Sequence, residues 1–183
     1  MSNTIRQYET ELDLCKDLFL KKTQDYGTSW RILRPSSLTD QIYIKASRVR
    51  SIDEKGDAKV DEPADDAFRA MVNYGLMALI QLANPIAEGE DIELSYNEAK
   101  DHYTHYAKIV EDLMIAKNHD YGEAWRDMRV SSMTDLILMK LLRIKQIEEN
   151  EGKTIISEGL DSNYMDIINY ALFCLIKLSE ENK

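Results

Sequence analysis

The chain states the same unit twice. Residues 21–52 align on residues 116–147 at a constant offset of 95, with 15 identities in 32 positions and no gap. Two copies are too few for a solenoid or propeller, whose units stabilise one another only in longer arrays. A duplicated unit of this size is expected to fold as two like halves packed together. The copies agree mainly at polar and aromatic positions: Lys22 with Lys117, Asp25 with Asp120, Tyr26 with Tyr121, Gly27 with Gly122, Trp30 with Trp125, Arg31 with Arg126, Arg34 with Arg129, Lys45 with Lys140, and Arg48 with Arg143. Packing alone would sooner preserve apolar positions, so these residues are candidates for a site.

Helical periodicity dominates the remainder. Ile5, Tyr8, Leu12, Cys15 and Phe19 recur at helical spacing and predict a first helix ending near Lys22. Asp-Tyr-Gly then breaks it, because Gly27 offers a positive φ and Asp25 can bond nearby backbone. Ser37-Leu-Thr-Asp40 and Ser132-Met-Thr-Asp135 read as capping boxes opening the second and fifth helices. A third helix is expected from Pro63 to about Leu82, and the later ones at about 95–117, 133–150 and 157–181. The fifth is apolar nearly all round, as for a helix surrounded by others. The expected architecture is all-α: two tandem three-helix repeats, 1–83 and 95–183, joined by a linker at 84–94 and packed as a pseudo-two-fold bundle. It is a pseudo-dimer within one chain, with further oligomerisation left open.

Charge narrows the partners. A net charge of −10 with no Lys/Arg block argues against a nucleic-acid polymer, whose backbone needs a basic surface. A small anion remains admissible, because local cations or Mg²⁺ can overcome the global field. No apolar stretch reaches membrane-spanning length and no signal-peptide core opens the chain, so a cytoplasmic, membrane-free protein is expected. Cys15 and Cys174 lie in apolar helical patterns and read as reduced core thiols.

Three constellations could carry chemistry. On the sixth helix Glu158, Asp161, Asp166 and Asn169 fall within an arc of roughly 140° beside the apolar face. Three carboxylates with mixed spacing suit Mg²⁺, or they are simply a solvated face. The first copy keeps Glu62, Asp65, Asn73 and Tyr74 but has Ala70 opposite Asp166, so on the metal reading its acid set is incomplete. Lys140 and Arg143, like Lys45 and Arg48, sit three apart on an apolar helix and need partners. Those are either acids such as Glu158 and Asp161 or the phosphate oxygens of a ligand. Trp30 and Trp125, each in D-Y-G-x-x-W-R, are either plugs over the core or stacking platforms for a base beside Tyr26 or Tyr121.

At these residues the chain resembles the nucleotide-modification-associated domain 1 family. Its members look like one unit of this repeat: Lys-x-x-Asp-Tyr-Gly, a helix with Lys-x-x-Arg, then Glu and an Asp-rich helix ending Asn-Tyr-Ala. Here those are Lys117, Asp120–Gly122, Lys140, Arg143, Glu158, Asp161, Asp166 and Asn169–Ala171; the first copy departs at Ala70 and Gly75. The acid-bearing helices also resemble, more distantly, the all-α nucleoside triphosphate pyrophosphohydrolases, although their ExxE and ExxD pair is missing here. The resemblance implies a small-molecule nucleotide as partner, with Mg²⁺-dependent hydrolysis as the leading activity. Glu158, Asp161 and Asp166 would then hold metal, Lys140, Arg143, Arg126 and Arg129 would meet phosphate, and Tyr121 and Trp125 would face the base. The rival expectation is a non-catalytic nucleotide sensor or helical interaction module whose acids and cations pair with one another.

Overall fold

The computed structural model describes residues 2–60, 62–155 and 159–181. Among them are six α-helices and no strand: α1 (Ser2–Tyr26), α2 (Pro35–Lys55), α3 (Ala64–Ala83), α4 (Tyr96–Tyr121), α5 (Val130–Glu149) and α6 (Leu160–Glu181). Each repeat contributes three, with a short 3₁₀ turn between its first two helices, Ser29–Ile32 in one and Ala124–Asp127 in the other.

The structure corrects the sequence reading at four helix ends. α1 and α4 continue four residues past the expected stops at Lys22 and Lys117, so Asp25 and Asp120 ride on the last turns of helices instead of on loops. The capping boxes at Ser37 and Ser132 do not form. α2 and α5 begin two residues ahead of those serines, after Arg34 and Arg129 in extended conformation, with no side-chain cap. Pro35 explains the earlier start of α2, since its fixed φ is already helical and its missing N–H needs no acceptor. A reciprocal capping box does form at Ser95 and Glu98 on α4. Gly27 takes φ +72°, as the turn requires, and a Cβ there would strike the Glu93 carboxylate. That close approach pins the linker: Thr28 N–H donates to Glu93 at 2.9 Å, and Leu94 N–H donates to the Thr28 hydroxyl at 2.8 Å.

α3 and α6 form the central pair, with α2 and α5 meeting beside them and α1 and α4 packed across the other side. Gly75 on α3 lies where a Cβ would come within 2.6 Å of Ile168 Cγ1 on α6, so the helices approach more closely than an alanine would allow. This gives a packing reason for the first copy's departure from Ala171. α5 is not surrounded, contrary to its apolar pattern: Met139 and Leu142 are exposed while Lys140 is buried.

Pseudo-symmetry is sharpest in two crossed hydrogen bonds. Tyr8 on α1 donates to Asn169 Oδ1 on α6 at 2.7 Å, and Tyr103 on α4 donates to Asn73 Oδ1 on α3 at 2.9 Å. Each asparagine then donates back to the first helix of its own repeat, Asn73 to the Cys15 carbonyl and Asn169 to that of Val110. Both tyrosines are fully buried, so each repeat supplies the phenol that satisfies the other's amide. Cys15 and Cys174 are buried free thiols, and burial pushes Cys15 up to about 12.

Candidate ligand-binding site

Beneath the Asp-Tyr-Gly turn of repeat 1 lies an open cavity of about 640 Å³. α1 brings Lys22 and Tyr26 to its rim, the 3₁₀ turn brings Trp30, α2 brings Lys45, and α3 brings Ala70, Asn73, Tyr74 and Met77. Most residues that agree between the copies thus converge on one concave surface, although the sequence separates them by up to fifty positions. Lys22 is exposed and makes no ion pair or hydrogen bond among the described residues. Lys45 donates to Glu62 at 2.5 Å, and Arg48 stands 3.6 Å from the other Glu62 oxygen. The Lys45 hydrogen bond holds the Glu62 carboxyl below its ordinary range. Tyr26 is 60% exposed, and its phenol is raised by partial burial, then by Tyr74 and Asp25 nearby, so it stays neutral at physiological pH.

In repeat 2 the corresponding space is filled from within. Asp166, at the place of Ala70, accepts from Lys117 through one oxygen and from Lys140 at 2.7 Å through the other. Phe173, at the place of Met77, stacks on Trp125 with centroids 4.3 Å apart and planes 4° from parallel. The partner expected for Lys140 was Glu158 or Asp161. Glu158 falls outside the described residues, Asp161 is exposed, and Asp166 takes the charge instead. Lys140 and Asp166 are both about nine-tenths buried, so removing either would cost about 3–5 kcal/mol.

Of the expected magnesium set, Glu158 lies outside the described residues, and Asp161 and Asp166 do not converge on a metal position. Both Asp166 oxygens already carry ammonium groups, Asp161 faces solvent, and among the described residues no three of His, Cys, Asp or Glu converge on a point. The acids of repeat 1 are engaged as well, Glu62 by Lys45 and Arg48, Asp65 and Asp66 by Arg69.

Three of the expected phosphate ligands, Arg126, Arg129 and Arg143, lie elsewhere, and so do Arg31 and Arg34. Arg31 is buried, donating to Gln81 Oε1 and to the Pro85 carbonyl at 2.7 Å, while Gln81 donates back to the Arg31 and Leu33 carbonyls. Arg126 covers Trp125 at 4.4 Å and spends its N–H groups on Glu123, Thr4, Gln7 and Glu180, tying α1 of repeat 1 to the turn of repeat 2. Arg34 and Arg129 are exposed at helix starts; Arg129 lines a separate cleft of about 700 Å³ with Arg50, Asp135 and Lys177. Arg143 is exposed with no ion pair among the described residues, and Asp120 meets only His119, at 3.1 Å. Tyr121 is 77% exposed, and Asn169 has both ends of its amide committed to the crossed bonds.

The model of the family described as nucleotide modification associated domain 1 matches the chain twice, over residues 22–82 and 117–178. The chain belongs to that family. No curated protein and no solved structure matches it, and the expected likeness to all-α pyrophosphohydrolases is not shown. The two family segments begin at Lys22 and Lys117 and so leave out most of α1 and α4. Tyr8 and Tyr103, which complete the crossed bonds, lie outside the segments although they are themselves 95 apart. Extending the repeat alignment toward the N-terminus would have found them. Met77 against Phe173 and Gln81 against Lys177 stand at an offset of 96 and were equally readable; Lys177, like Gln81, donates to the carbonyl of its turn arginine, at 2.5 Å.

Both Trp30 and Trp125 are buried, as plugs would be, yet Trp30 also forms part of the cavity wall. Their indole N–H groups have no acceptor among the described residues in either repeat, so that orphan donor belongs to the turn and not to the cavity.

Proposed function

We propose that this member of the family binds a small nucleotide in the repeat 1 cavity, as a sensor or carrier of the ligand. The observation that carries the reading is the convergence of Lys22, Lys45, Tyr26, Tyr74 and Trp30 on one cleft of about 640 Å³. Its size suits a ligand of nucleotide dimensions, since small-molecule sites typically span about 300–1,000 Å³. Aromatic side chains offer faces to a base, and an unpaired ammonium offers a point charge to phosphate. Pairing of the acids with lysine and arginine favours a binding protein over a metal-dependent hydrolase. No helix among the described residues is long and apolar enough to cross a membrane, and the buried free thiols agree with the cytoplasmic location we assign.

Calorimetric titration with a panel of nucleosides, nucleoside mono-, di- and triphosphates tests the proposal. Lys22→Met should fold normally, because the side chain is exposed, and should weaken binding by about 1.5–3 kcal/mol, the range for a hydrogen bond to a charged group. Lys45→Met should weaken it too. A panel in which nothing binds, or affinities indifferent to both substitutions, would remove the nucleotide reading.

A further inference from the structure

The two repeats differ at the two positions that decide whether the space is open. Where repeat 2 has Asp166 spanning Lys117 and Lys140, repeat 1 has Ala70 beside Lys22 and Lys45. Where repeat 2 lays Phe173 flat on Trp125, repeat 1 has Met77 beside Trp30. Each substitution removes one half of a pair: a carboxylate from between two ammonium groups, and a ring from the face of an indole. Unbranched and flexible, the Met77 thioether can yield that face to an incoming ring.

We infer that Asp166 and Phe173 of repeat 2 are built-in stand-ins for the phosphate and base of a ligand that repeat 1 takes from solution, and that this ligand is a nucleoside monophosphate. The inference rests on the nucleotide reading of the repeat 1 cavity and narrows it to a class and a stoichiometry of one per chain.

The single carboxylate between Lys117 and Lys140 points to a ligand with one anionic group, a monophosphate. Lys22, Lys45, Glu62 and Asp66 line the cavity, while Arg48 and Arg69, which do not, stand beside Glu62 and Asp66 respectively. Lys45 and Arg48 share Glu62, and Arg69 is divided among Asp65, Asp66 and Glu11, so Lys22 is the lysine of the cavity that holds no acid among the described residues. A phosphate monoester, carrying about −1.5 to −2 at neutral pH, would meet Lys22 directly and compete with Glu62 for Lys45, as Asp166 meets Lys117 and Lys140 in repeat 2. A triphosphate would bring further negative charge against Glu62 and Asp66 in a chain whose net charge is already −10.

The test compares the wild-type chain, Ala70→Asp and Asp166→Ala by calorimetry and thermal melting, with nucleoside monophosphates, the matching triphosphates, nucleosides and inorganic phosphate as probes. The wild type should take up one equivalent of monophosphate, at least tenfold more tightly than the triphosphate. Ala70→Asp should melt no lower than wild type, because its carboxylate meets Lys22 and Lys45, and should lose at least tenfold in affinity. Asp166→Ala should melt lower and recover on adding monophosphate or inorganic phosphate, with a second equivalent bound. Asp166→Asn, which keeps the shape and removes the charge, serves in its place should the alanine variant not fold. Undiminished binding by Ala70→Asp, preference for triphosphate, or a single phosphate-insensitive site in a folded Asp166 variant would overturn the inference. Absence of any nucleotide binding by wild type would instead overturn the nucleotide reading. In that case phosphate rescue of Asp166→Ala and stabilisation by Ala70→Asp would still support the stand-in relation.

Discussion

Asn169→Ala separates a structural asparagine from a ligand-binding one. Its amide accepts from Tyr8 at 2.7 Å and donates to the Val110 carbonyl at 3.3 Å, all in the buried contact between α1, α4 and α6. Truncation strands the Tyr8 hydroxyl, whose residue has no exposure to water. Leaving such a group unsatisfied costs about 1–3 kcal/mol, and the lost bond to Val110 adds a fraction more, because that carbonyl also serves its own helix. The total is about 1.5–3.5 kcal/mol, which in a chain of this size lowers the melting temperature by roughly 3–14 °C. Tyr8→Phe alone should cost about 1–3 kcal/mol, and the double variant less than the sum, since the two side chains share one bond. Denaturant unfolding of the four proteins closes the cycle, with calorimetric titration of monophosphate run alongside. Monophosphate affinity should stay within about twofold of wild type, as Asn169 sits in the filled repeat. An Asn169→Ala protein as stable as wild type, or one whose affinity collapses at unchanged stability, would refute the assignment of this residue to the fold.

Gly75→Ala should destabilise by about 1–3 kcal/mol through the clash with Ile168, and combining it with Ile168→Ala should cost less than the sum of the two single changes, which denaturant unfolding of the four proteins reads. Glu148, held near Thr39 and Tyr164, has its carboxyl raised above the ordinary range, first by burial. A raised folded value means that its contribution is present below about pH 4.3 and is lost as pH rises; Glu148→Gln should therefore be at least as stable as wild type at pH 7 and show a flatter profile between pH 4 and 7. Tyr8 and Tyr103 are raised well above their ordinary value, mainly by burial. Stability should hold below about pH 10 and fall as pH climbs from there toward their folded values, with Tyr8→Phe reducing that alkaline slope in a pH-melting series.

The fold was legible because duplication doubled every signal. Gly27 and Gly122 punctuated each unit, and helical periodicity placed all six elements. Helix ends were less readable, since Ser37 and Ser132 offered plausible caps while the chain had already turned helical at Pro35 and Val130. The residues of the site were partly legible for the same reason as the fold: Lys22, Tyr26, Trp30 and Lys45 agreed with their counterparts and do meet in space. What a list of agreements could not convey was the meaning of a disagreement. Ala70 read as the loss of a ligand from an acidic set, because nothing in sequence tells a carboxylate aimed at a metal from one that neutralises two lysines. Distance across the bundle decides that, and Asp166 proves to be a counter-ion. Arg126 misled for a related reason: a guanidinium that ties neighbouring side chains together and one that awaits phosphate look alike until the acceptors are known.

A crystal structure of the chain grown with a saturating nucleoside monophosphate tests the central claim most directly. The account predicts one ligand per chain, its phosphate between Lys22 and Lys45 at Ala70 and its base against Trp30 and Tyr26, with Asp166 still joined to Lys117 and Lys140. Ligand bound at repeat 2 with Asp166 displaced, or in the cleft beside Arg129 with the repeat 1 cavity empty, would contradict it.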